Sequence, residues 1–130
     1  MFTFTKIERL CSKKAIDVLF TKGKSKTQFP FKIIYLPSEF ESEFPIRAMF
    51  VVPKKKHKRA NKRNIIKRRM REVYRLHKHK LYEVFKDQKL DLMFICLSNE
   101  EHDYQEIEKS MCSLMESLMK VDIAALRPSF

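Results

Sequence analysis

Lysine and arginine side chains crowd one stretch of this chain, Lys54–Lys80, which reads KKKHKRANKRNIIKRRMREVYRLHKHK. The stretch holds 14 of the 28 Lys and Arg residues and a single acid, Glu72. So much charge of one sign is typical of a surface that binds a polyanion, because neutralising phosphates releases their condensed counterions. The first chemistry that the sequence indicates is therefore contact with a nucleic-acid backbone. Because like charges repel, the loop Lys54–Arg59 is expected to be partly disordered until anions bind.

Apolar residues recur inside this stretch with the spacing of a helix. On a wheel of about 100° per residue, the arc expected to face a core collects Ile66, Met70, Val73, Tyr74, His77 and Leu81. The neighbouring arc collects Asn64, Lys67, Arg68, Arg71, Arg75 and Lys78. Its basic residues form a ladder with rungs about 6 Å apart along the axis, close to the phosphate spacing of a nucleic-acid strand. A solvated helical face usually alternates the sign of its charges, and this one does not.

No catalytic or metal-binding group of residues stands out. Two of the four histidines, His77 and His79, are two positions apart on the predicted helix and point to different sides, which is wrong for a shared metal. The single glycine, Gly23, leaves no glycine-rich loop for a phosphate. The sequence therefore predicts neither a catalytic site nor a metal site.

Length and composition indicate one folded domain over residues 1–130, with a core at about 5–121 and a C-terminal tail at 122–130. A hydrophobic content of 44% argues against disorder despite a net charge of +12. No apolar run approaches the length needed to span a bilayer, and the N-terminus has charges where a signal peptide needs its apolar core. Three widely spaced cysteines, Cys11, Cys96 and Cys112, fit buried free thiols in a reducing compartment. A cytoplasmic protein is expected.

Three predicted helices and three predicted strands position the basic face. The first helix is predicted at Ile7–Lys22, ended by Gly23 as a left-handed C-cap. The long basic helix is predicted from Ala60 or Asn61 to about Phe85, and a last helix at about Tyr104–Val121. The predicted strands are Phe29–Leu36, Ile46–Val52 and Leu90–Leu97, with a possible further short strand near Thr5 or Lys26.

The run KRNIIKRRMREVYR, Lys62–Arg75, resembles the signature helix of the bacterial ribonuclease P protein family. That signature has an RNR-type motif followed by a hydrophobic residue, Lys-Arg, and then Arg-Glu before an aromatic residue. The segment VPKK at Val52–Lys55 resembles the family's Val-Ser-Lys-Lys at a strand end, and VLFTKGKS at Val18–Ser25 is similar to its Val-Phe-x-x-Gly-x-Ser helix end. The resemblance covers about residues 5–120. The chain departs from it at Ile65, where the family usually has Arg, and at Pro53, which replaces a hydroxyl residue.

The resemblance implies an α/β (α+β) two-layer sandwich like the second domain of ribosomal protein S5, in the order α-β-β-(β)-α-β-α. Its strand–long helix–strand crossover would be left-handed, against the usual rule. The implied partners are ribonuclease P RNA, which is the catalytic subunit, and precursor tRNA, whose 5′ leader the holoenzyme removes by endonucleolytic cleavage. Mg²⁺ would be bound mainly by the RNA and would activate the attacking water. The chain would be a cofactor subunit without catalytic residues, and no obligate protein partner is expected.

By the same resemblance, two surfaces of the chain bind RNA. The long helix and its preceding loop would grip the catalytic RNA through Lys54, Lys55, Lys56, Arg59, Lys62, Arg63, Asn64, Lys67, Arg68, Arg71 and Arg75. The open face of the sheet beside the first helix would form a cleft for the leader through Phe20, Phe31, Lys32, Ile34, Arg47, Met49 and Val51. Apolar side chains flanked by cations suit a single strand of any sequence. Strand alternation shows that two faces exist and leaves open which one is uncovered.

Three other functions remain open on the residues alone. A ribosomal or ribosome-assembly protein with a similar basic sandwich would bind ribosomal RNA and give no help to tRNA maturation. A self-sufficient nuclease would cleave RNA without an RNA partner, and the lack of a catalytic grouping counts against it. A basic amphipathic helix could instead bind a membrane or an acidic protein. The apolar arc would then not be needed within the fold, although the hydrophobic strands need it as cover. The ribonuclease P protein family is the leading hypothesis.

Overall fold

A computed structural model describes residues 4–121, so the predicted tail at 122–130 lies outside the described residues. The chain begins with a 3₁₀ turn, Lys6–Glu8. The helices are α1 Lys13–Lys22, α2 Ala60–Val84 and α3 Tyr104–Met119. The strands are β1 Lys24–Gln28, β2 Phe31–Pro37, β3 Ile46–Val51 and β4 Leu90–Cys96. The predicted order is confirmed, and the possible extra strand near Lys26 is β1.

The four strands form one mixed sheet in the order β1-β2-β4-β3. The pairs β1–β2 and β2–β4 are antiparallel, whereas β3 and β4 are parallel and are joined through α2. The helices α2 and α3 cover one face of the sheet, and α1 packs against the opposite face on β2 and β4. The sheet therefore carries a full helical layer on one side and a single short helix on the other.

The main core lies between the sheet and the layer formed by α2 and α3. The apolar arc predicted for the long helix is confirmed in Ile66, Met70, Val73, Tyr74 and Leu81, which are all buried. Their partners are alternate residues of the strands, as expected when one face of a pleated sheet is covered. His77 differs from that prediction, since its side chain is partly exposed and its Nε2 lies 3.1 Å from a carboxylate oxygen of α3.

The first helix was predicted at Ile7–Lys22 but is observed only at Lys13–Lys22, so the prediction is wrong for its N-terminal part. After one 3₁₀ turn the chain extends, Arg9 forms a parallel bridge with Ala48, and the N–H of Leu10 donates to the Ala48 carbonyl at 2.9 Å. Helix α1 begins only after Ser12, whose hydroxyl oxygen accepts a backbone N–H of the first turn at 3.3 Å. The apolar spacing continues across this break, and the cap residue decides where the helix starts.

A buried ion pair fixes this N-terminal segment to α2. Glu8 is 1% exposed and Lys78 is 4% exposed, and Lys78 donates a hydrogen bond to Glu8. Glu8 also accepts from the Tyr82 hydroxyl at 2.6 Å and from the backbone N–H of Thr5 at 3.2 Å. We call the contacts of Glu8 with Lys78 and Tyr82 the N-terminal clasp. The predicted place of Lys78 in the outward basic arc is therefore wrong, because the N-terminal segment covers that side of α2.

The single glycine stands where there is no room for a side chain. Its predicted left-handed conformation is wrong, since Gly23 has φ −69° and ψ 151°, which is extended backbone. A Cβ at this position would lie 2.4 Å from the carbonyl oxygen of Leu19 and 2.6 Å from a methyl group of Ile34. The end of α1 therefore approaches β2 too closely for any side chain.

Substitution of Gly23 by alanine is expected to lower the free energy of unfolding by about 1–3 kcal/mol, as for overpacking elsewhere. One of the two contacts is with a backbone oxygen, which cannot rotate away from the new methyl group. Urea denaturation of the two proteins measures the difference. The exposed neighbour Lys24 is a matched control, because Lys24→Ala is expected to change the free energy by less than about 0.5 kcal/mol. Equal stability of Gly23→Ala and the parent would show that α1 shifts readily on the sheet.

Candidate nucleic-acid interface

The outer face of α2 carries a shallow trough that is lined by its own side chains. The lining residues are Asn61, Asn64, Ile65, Lys67, Arg68 and Arg71. Arg68 and Arg71 are exposed and Lys67 is partly exposed. Within residues 4–121, none of these three cations makes a hydrogen bond or an ion pair. Three unneutralised cations on one side of a helix create a strong positive potential that attracts phosphate.

Arg75 continues the ladder but is already paired. Its Nη2 lies 2.5 Å from Glu72 Oε1 and its Nε lies 3.2 Å from Glu72 Oε2. The hydrogen bond from Arg75 holds the pKa of the Glu72 carboxyl below its usual value. The three-residue spacing of the two side chains could have indicated this pair from the sequence. Arg75 therefore presents less net charge to a ligand than Arg71 does.

The basic loop Lys54–Arg59, expected to be partly disordered, is tied to the rest of the protein. His57 is buried, and its Nε2 lies 2.9 Å from the carbonyl oxygen of Ser98. Arg63 Nη1 donates to the carbonyl oxygens of His57, at 3.0 Å, and Lys58, at 2.9 Å. Arg63 therefore uses its guanidinium to hold the loop, whereas it was predicted to contact RNA.

The remaining predicted members of this surface point outward. Exposed side chains are Lys54, Lys55, Arg59, Lys62 and Asn64, and Lys56 is partly exposed. The structure thus brings the loop and the first half of α2 together as one cationic surface. It is a continuous strip that begins at the end of β3 and runs along the outer face of α2.

Strand register arranges the second predicted surface, the sheet face beneath α1, in three rows. From the end nearest the basic loop, these rows are Lys32, Ile95 and Val51; Ile34, Met93 and Met49; and Leu36, Asp91 and Arg47. Helix α1 covers the β2 and β4 members of the middle row, because Leu19 packs with Ile34 and Met93 in one cluster, whereas Met49 on β3 stays partly exposed. The parts of this face that stay accessible therefore lie on either side of α1.

Three of the predicted cleft residues do not fit an open cleft. Phe31 is 1% exposed and belongs to the main core under α2 and α3, on the opposite face from Lys32. Ile34 lies on the predicted face but is buried beneath α1. Arg47 forms a two-point ion pair with Asp91 at 2.8 and 2.9 Å, and its guanidinium carbon lies 4.1 Å from the centre of the Phe40 ring. These corrections follow from the strand register and the path of α1.

Four predicted cleft residues remain accessible, and a fifth joins them. Phe20 is exposed at the end of α1, and Lys32, Met49 and Val51 are partly exposed. Ile95 stands between Lys32 and Val51 and was missed. No sequence signal identifies it, because β4 is apolar at every position except Asp91 and is covered on both of its faces.

The two ends of this sheet face differ in charge. The loop between β2 and β3 has three exposed carboxylates, Glu39, Glu41 and Glu43. Lys89 holds this loop through its Nζ, which donates to the Ser42 carbonyl at 2.5 Å. The basic loop lies at the opposite end, where β3 finishes. A polyanion is therefore attracted at one end of the face and repelled at the other.

The described residues form neither a metal-binding group nor a membrane-spanning helix. Among residues 4–121, no three His, Cys, Asp or Glu side chains come together as metal ligands. No helix in that range combines the length and the apolar character needed to cross a bilayer. The cysteines are thiols, but Cys11 is exposed and Cys112 only partly buried, so the prediction of burial is confirmed for Cys96 alone. Burial raises the pKa of the Cys96 and Cys112 thiols above the usual value.

Comparison with known proteins reveals similarity over nearly the whole described range. The sequence model of the family described as Ribonuclease P matches residues 4–119. Two curated relatives, each a ribonuclease P protein component from a strain of Porphyromonas gingivalis, are 35% identical over 124 residues, 92% of this chain and 87% of theirs. The solved RNase P protein of Staphylococcus aureus superposes with a TM-score of 0.70 at 20% identity, covering 85% of this chain and 94% of that one. The RNase P protein from Thermotoga maritima gives a TM-score of 0.67 at 25% identity, over 85% and 96%.

Proposed function

Since this chain belongs to the ribonuclease P protein family, we propose that it binds the catalytic RNA of ribonuclease P and the 5′ leader of precursor tRNA, and so promotes removal of the leader. The observation that carries the proposal is the outer face of α2. There Lys67, Arg68 and Arg71 reach solvent without a partner in the described part of the chain. Such side chains bind phosphate without first breaking an internal ion pair.

The catalytic RNA binds along the cationic strip formed by the basic loop and α2. Arg63 and His57 hold the loop backbone in place, so little conformational entropy is lost when its lysines meet phosphates. The exposed side chains of Lys54, Lys55, Arg59 and Lys62 extend the contact towards the sheet. Arginine adds two-point hydrogen bonding to phosphate, which lysine cannot provide.

The leader of the precursor lies on the uncovered sheet face at the end next to the basic loop. Lys32, Ile95 and Val51 offer a cation beside two apolar side chains there, with Met49 next to them. Apolar side chains contact bases of any type, and the cation contacts the backbone, which suits a leader of variable sequence. At the other end Arg47 is neutralised by Asp91, and the nearby carboxylates of Glu39–Glu43 disfavour further RNA.

On this proposal the RNA subunit cleaves the bond and the protein does not take part in the chemical step. Mg²⁺ bound mainly by the RNA would supply the activated water. The residues of this chain bind and orient the two RNA molecules, and no further protein partner is required. The protein works in the cytoplasm, where its cysteines remain thiols.

Cleavage of a labelled precursor tRNA at low magnesium tests the proposal. Three reactions are compared: a bacterial ribonuclease P RNA alone, this protein alone, and the two together. Strong stimulation is expected only in the mixture, because the cations of α2 replace part of the magnesium that screens RNA phosphates. A second comparison uses precursors with and without a leader, and tighter binding of the leader-bearing form by the mixture is expected.

Three outcomes would contradict the proposal, the first two in whole and the third in part. Cleavage by the protein alone would identify a nuclease that needs no RNA subunit. Absence of stimulation, together with intact RNA binding, would favour a ribosomal or ribosome-assembly role. Equal affinity for leader-bearing and leaderless precursors would remove the cleft assignment and leave the catalytic RNA surface in place.

A further inference from the structure

The side chain of Phe29 is exposed in a place that neither proposed RNA surface uses. It is 64% exposed, more than any other large hydrophobic residue in the described range. Phe29 lies in the turn between β1 and β2, and its ring meets the His102 ring edge-on, with centroids 6.0 Å apart and an interplanar angle of 83°. A single exposed apolar side chain is common on protein surfaces, so the case for a ligand depends on what supports this ring and what lies beside it.

The aromatic neighbour of Phe29 is held in a fixed position. His102 Nε2 lies 2.9 Å from the Ser98 hydroxyl oxygen, and its Nδ1 lies 3.2 Å from a Glu106 carboxylate oxygen. The His102 carbonyl oxygen accepts from Arg69 Nη1 at 3.0 Å. The ring is therefore anchored from both nitrogens and its backbone is anchored to α2. Phe29 leans on a rigid support, which lowers the entropy lost when a ligand stacks on it.

A short series of contacts leads from Phe29 to the basic loop. Ser98, which meets His102 through its hydroxyl group, also meets His57 of the loop through its carbonyl oxygen at 2.9 Å. His102 lies just before α3, so the Phe29 ring lies on the helical side of the sheet and not on the leader side. The basic loop and Phe29 therefore both contact the segment from Ser98 to His102, so one RNA strand can contact the loop and the Phe29 ring.

The charges around Phe29 select which part of a nucleotide can bind. Glu100 and Glu101 are exposed in the same loop as Ser98 and repel phosphate. Glu106 is engaged by His102 and by the backbone N–H of Asp103. An uncharged base suits this place better than the backbone does, while the cations of the loop hold the backbone beside it.

We propose that Phe29, supported by His102, is a stacking platform for an unpaired base of the catalytic RNA whose phosphates are bound by the basic loop Lys54–Arg59. This inference rests on the proposed function and adds a contact outside α2 and outside the leader cleft. Stacking of one base on an aromatic side chain changes affinity by about 5- to 100-fold.

The absence of tryptophan from this chain makes a direct test possible. Phe29→Trp introduces a single indole, and its fluorescence is expected to be quenched, and protected from acrylamide, when catalytic RNA is added. Val84→Trp is the matched control, because Val84 is also half exposed but lies at the far end of α2. Its fluorescence is expected to stay unchanged on the same titration.

Affinity measurements with Phe29→Ala and Phe29→Leu complete the test. Both are expected to bind the catalytic RNA about 10-fold more weakly with an unchanged salt dependence, since stacking displaces no counterions. Their melting temperatures are expected to match the parent, because the side chain is exposed. Unquenched indole fluorescence in Phe29→Trp, with parental affinity in Phe29→Ala, would overturn the platform and leave the α2 surface standing.

Three further outcomes would also overturn it. Quenching that appears only when leader-bearing precursor is added would assign Phe29 to the leader. Quenching that rises with protein concentration in the absence of RNA would assign it to contacts between copies of the chain. If the parent protein itself fails to bind catalytic RNA, the proposed function fails together with the platform.

Discussion

Replacing Arg68 and Arg71 together by alanine is expected to weaken binding of the catalytic RNA by about 10- to 100-fold near physiological salt. Both guanidinium groups are exposed on the outer face of α2 and pair with nothing else in residues 4–121. If the parent contacts six to ten phosphates, log affinity falls with log salt at a slope between roughly −4 and −9. The double variant is expected to lower the size of that slope by about 2. Filter binding at several salt concentrations gives both numbers.

The control for this prediction removes the same charge from another place. Lys109 and Lys120 are exposed on and after α3, and their joint replacement by alanine is expected to change affinity by less than about 3-fold. The loss of affinity caused by Arg75→Ala is expected to lie between the losses of these two double variants, because Glu72 already neutralises part of the Arg75 charge. Unchanged binding by the Arg68 and Arg71 variant, or loss of its fold, would contradict the role given to the outer face.

Lys78→Met is expected to lower the free energy of unfolding by about 3–5 kcal/mol, the range for breaking a buried ion pair at one partner. Glu8 is almost completely buried, so its charge would be left without compensation. Urea denaturation at neutral pH measures the loss. In the folded fraction the salt dependence of RNA binding is expected to match the parent, since Lys78 faces Glu8 and not solvent.

The pH dependence of this loss gives an independent check. In the parent, burial tends to raise the pKa of Glu8, but hydrogen bonds from Lys78 and Tyr82 outweigh it and the pKa is lowered. The clasp therefore stabilises the fold above the unfolded pKa, and this stabilisation is lost as pH falls through the lower folded pKa. In Lys78→Met, burial acts without the lysine and favours the protonated acid. The defect is then expected to be largest at neutral pH and to shrink as pH falls towards about 4.

A second substitution separates charge from packing. Glu8→Gln combined with Lys78→Met removes both charges, and the double variant is expected to recover most of the lost stability at pH 7. A double variant as unstable as Lys78→Met alone would mean that the lysine acts through its packing. A defect that does not vary with pH would exclude an uncompensated Glu8 charge as its cause.

The sequence predicted the elements that depend on local spacing. The basic helix was expected from Ala60 or Asn61 to about Phe85 and is observed at Ala60–Val84, because its apolar period persists along most of its length. The same wheel placed Lys78 beside Arg71 in one polar arc. Only a contact with a residue 70 positions earlier distinguishes the buried lysine from the exposed arginine. A helical wheel contains no information about which long-range segment covers a given side.

The sheet shows the same limit for strands. Alternation separates Phe31 from Lys32, but the side that α1 crosses cannot be read from β2 alone. Ile95 was missed because β4 is apolar at every position except Asp91, so its sequence shows no regular alternation of polar and apolar residues. Arg47 looked available because its partner Asp91 lies 44 residues away and is reached only through the parallel pairing of β3 with β4. These predictions failed because the pairing register of β2, β3 and β4 cannot be read from the sequence of any one strand.

The N-terminal clasp has a consequence for synthesis on the ribosome. Glu8 leaves the exit tunnel 70 residues before Lys78, and Tyr82 follows 74 residues after Glu8. During that interval the nascent chain carries an acid with no partner, and the edge of β3 that Arg9 later bridges stays open. Contacts of such long sequence separation close late and slowly. Glu8 is thus made long before its partners and is fixed late, so a nascent chain that lacks Lys78 and Tyr82 holds α1 in place less firmly than the finished one.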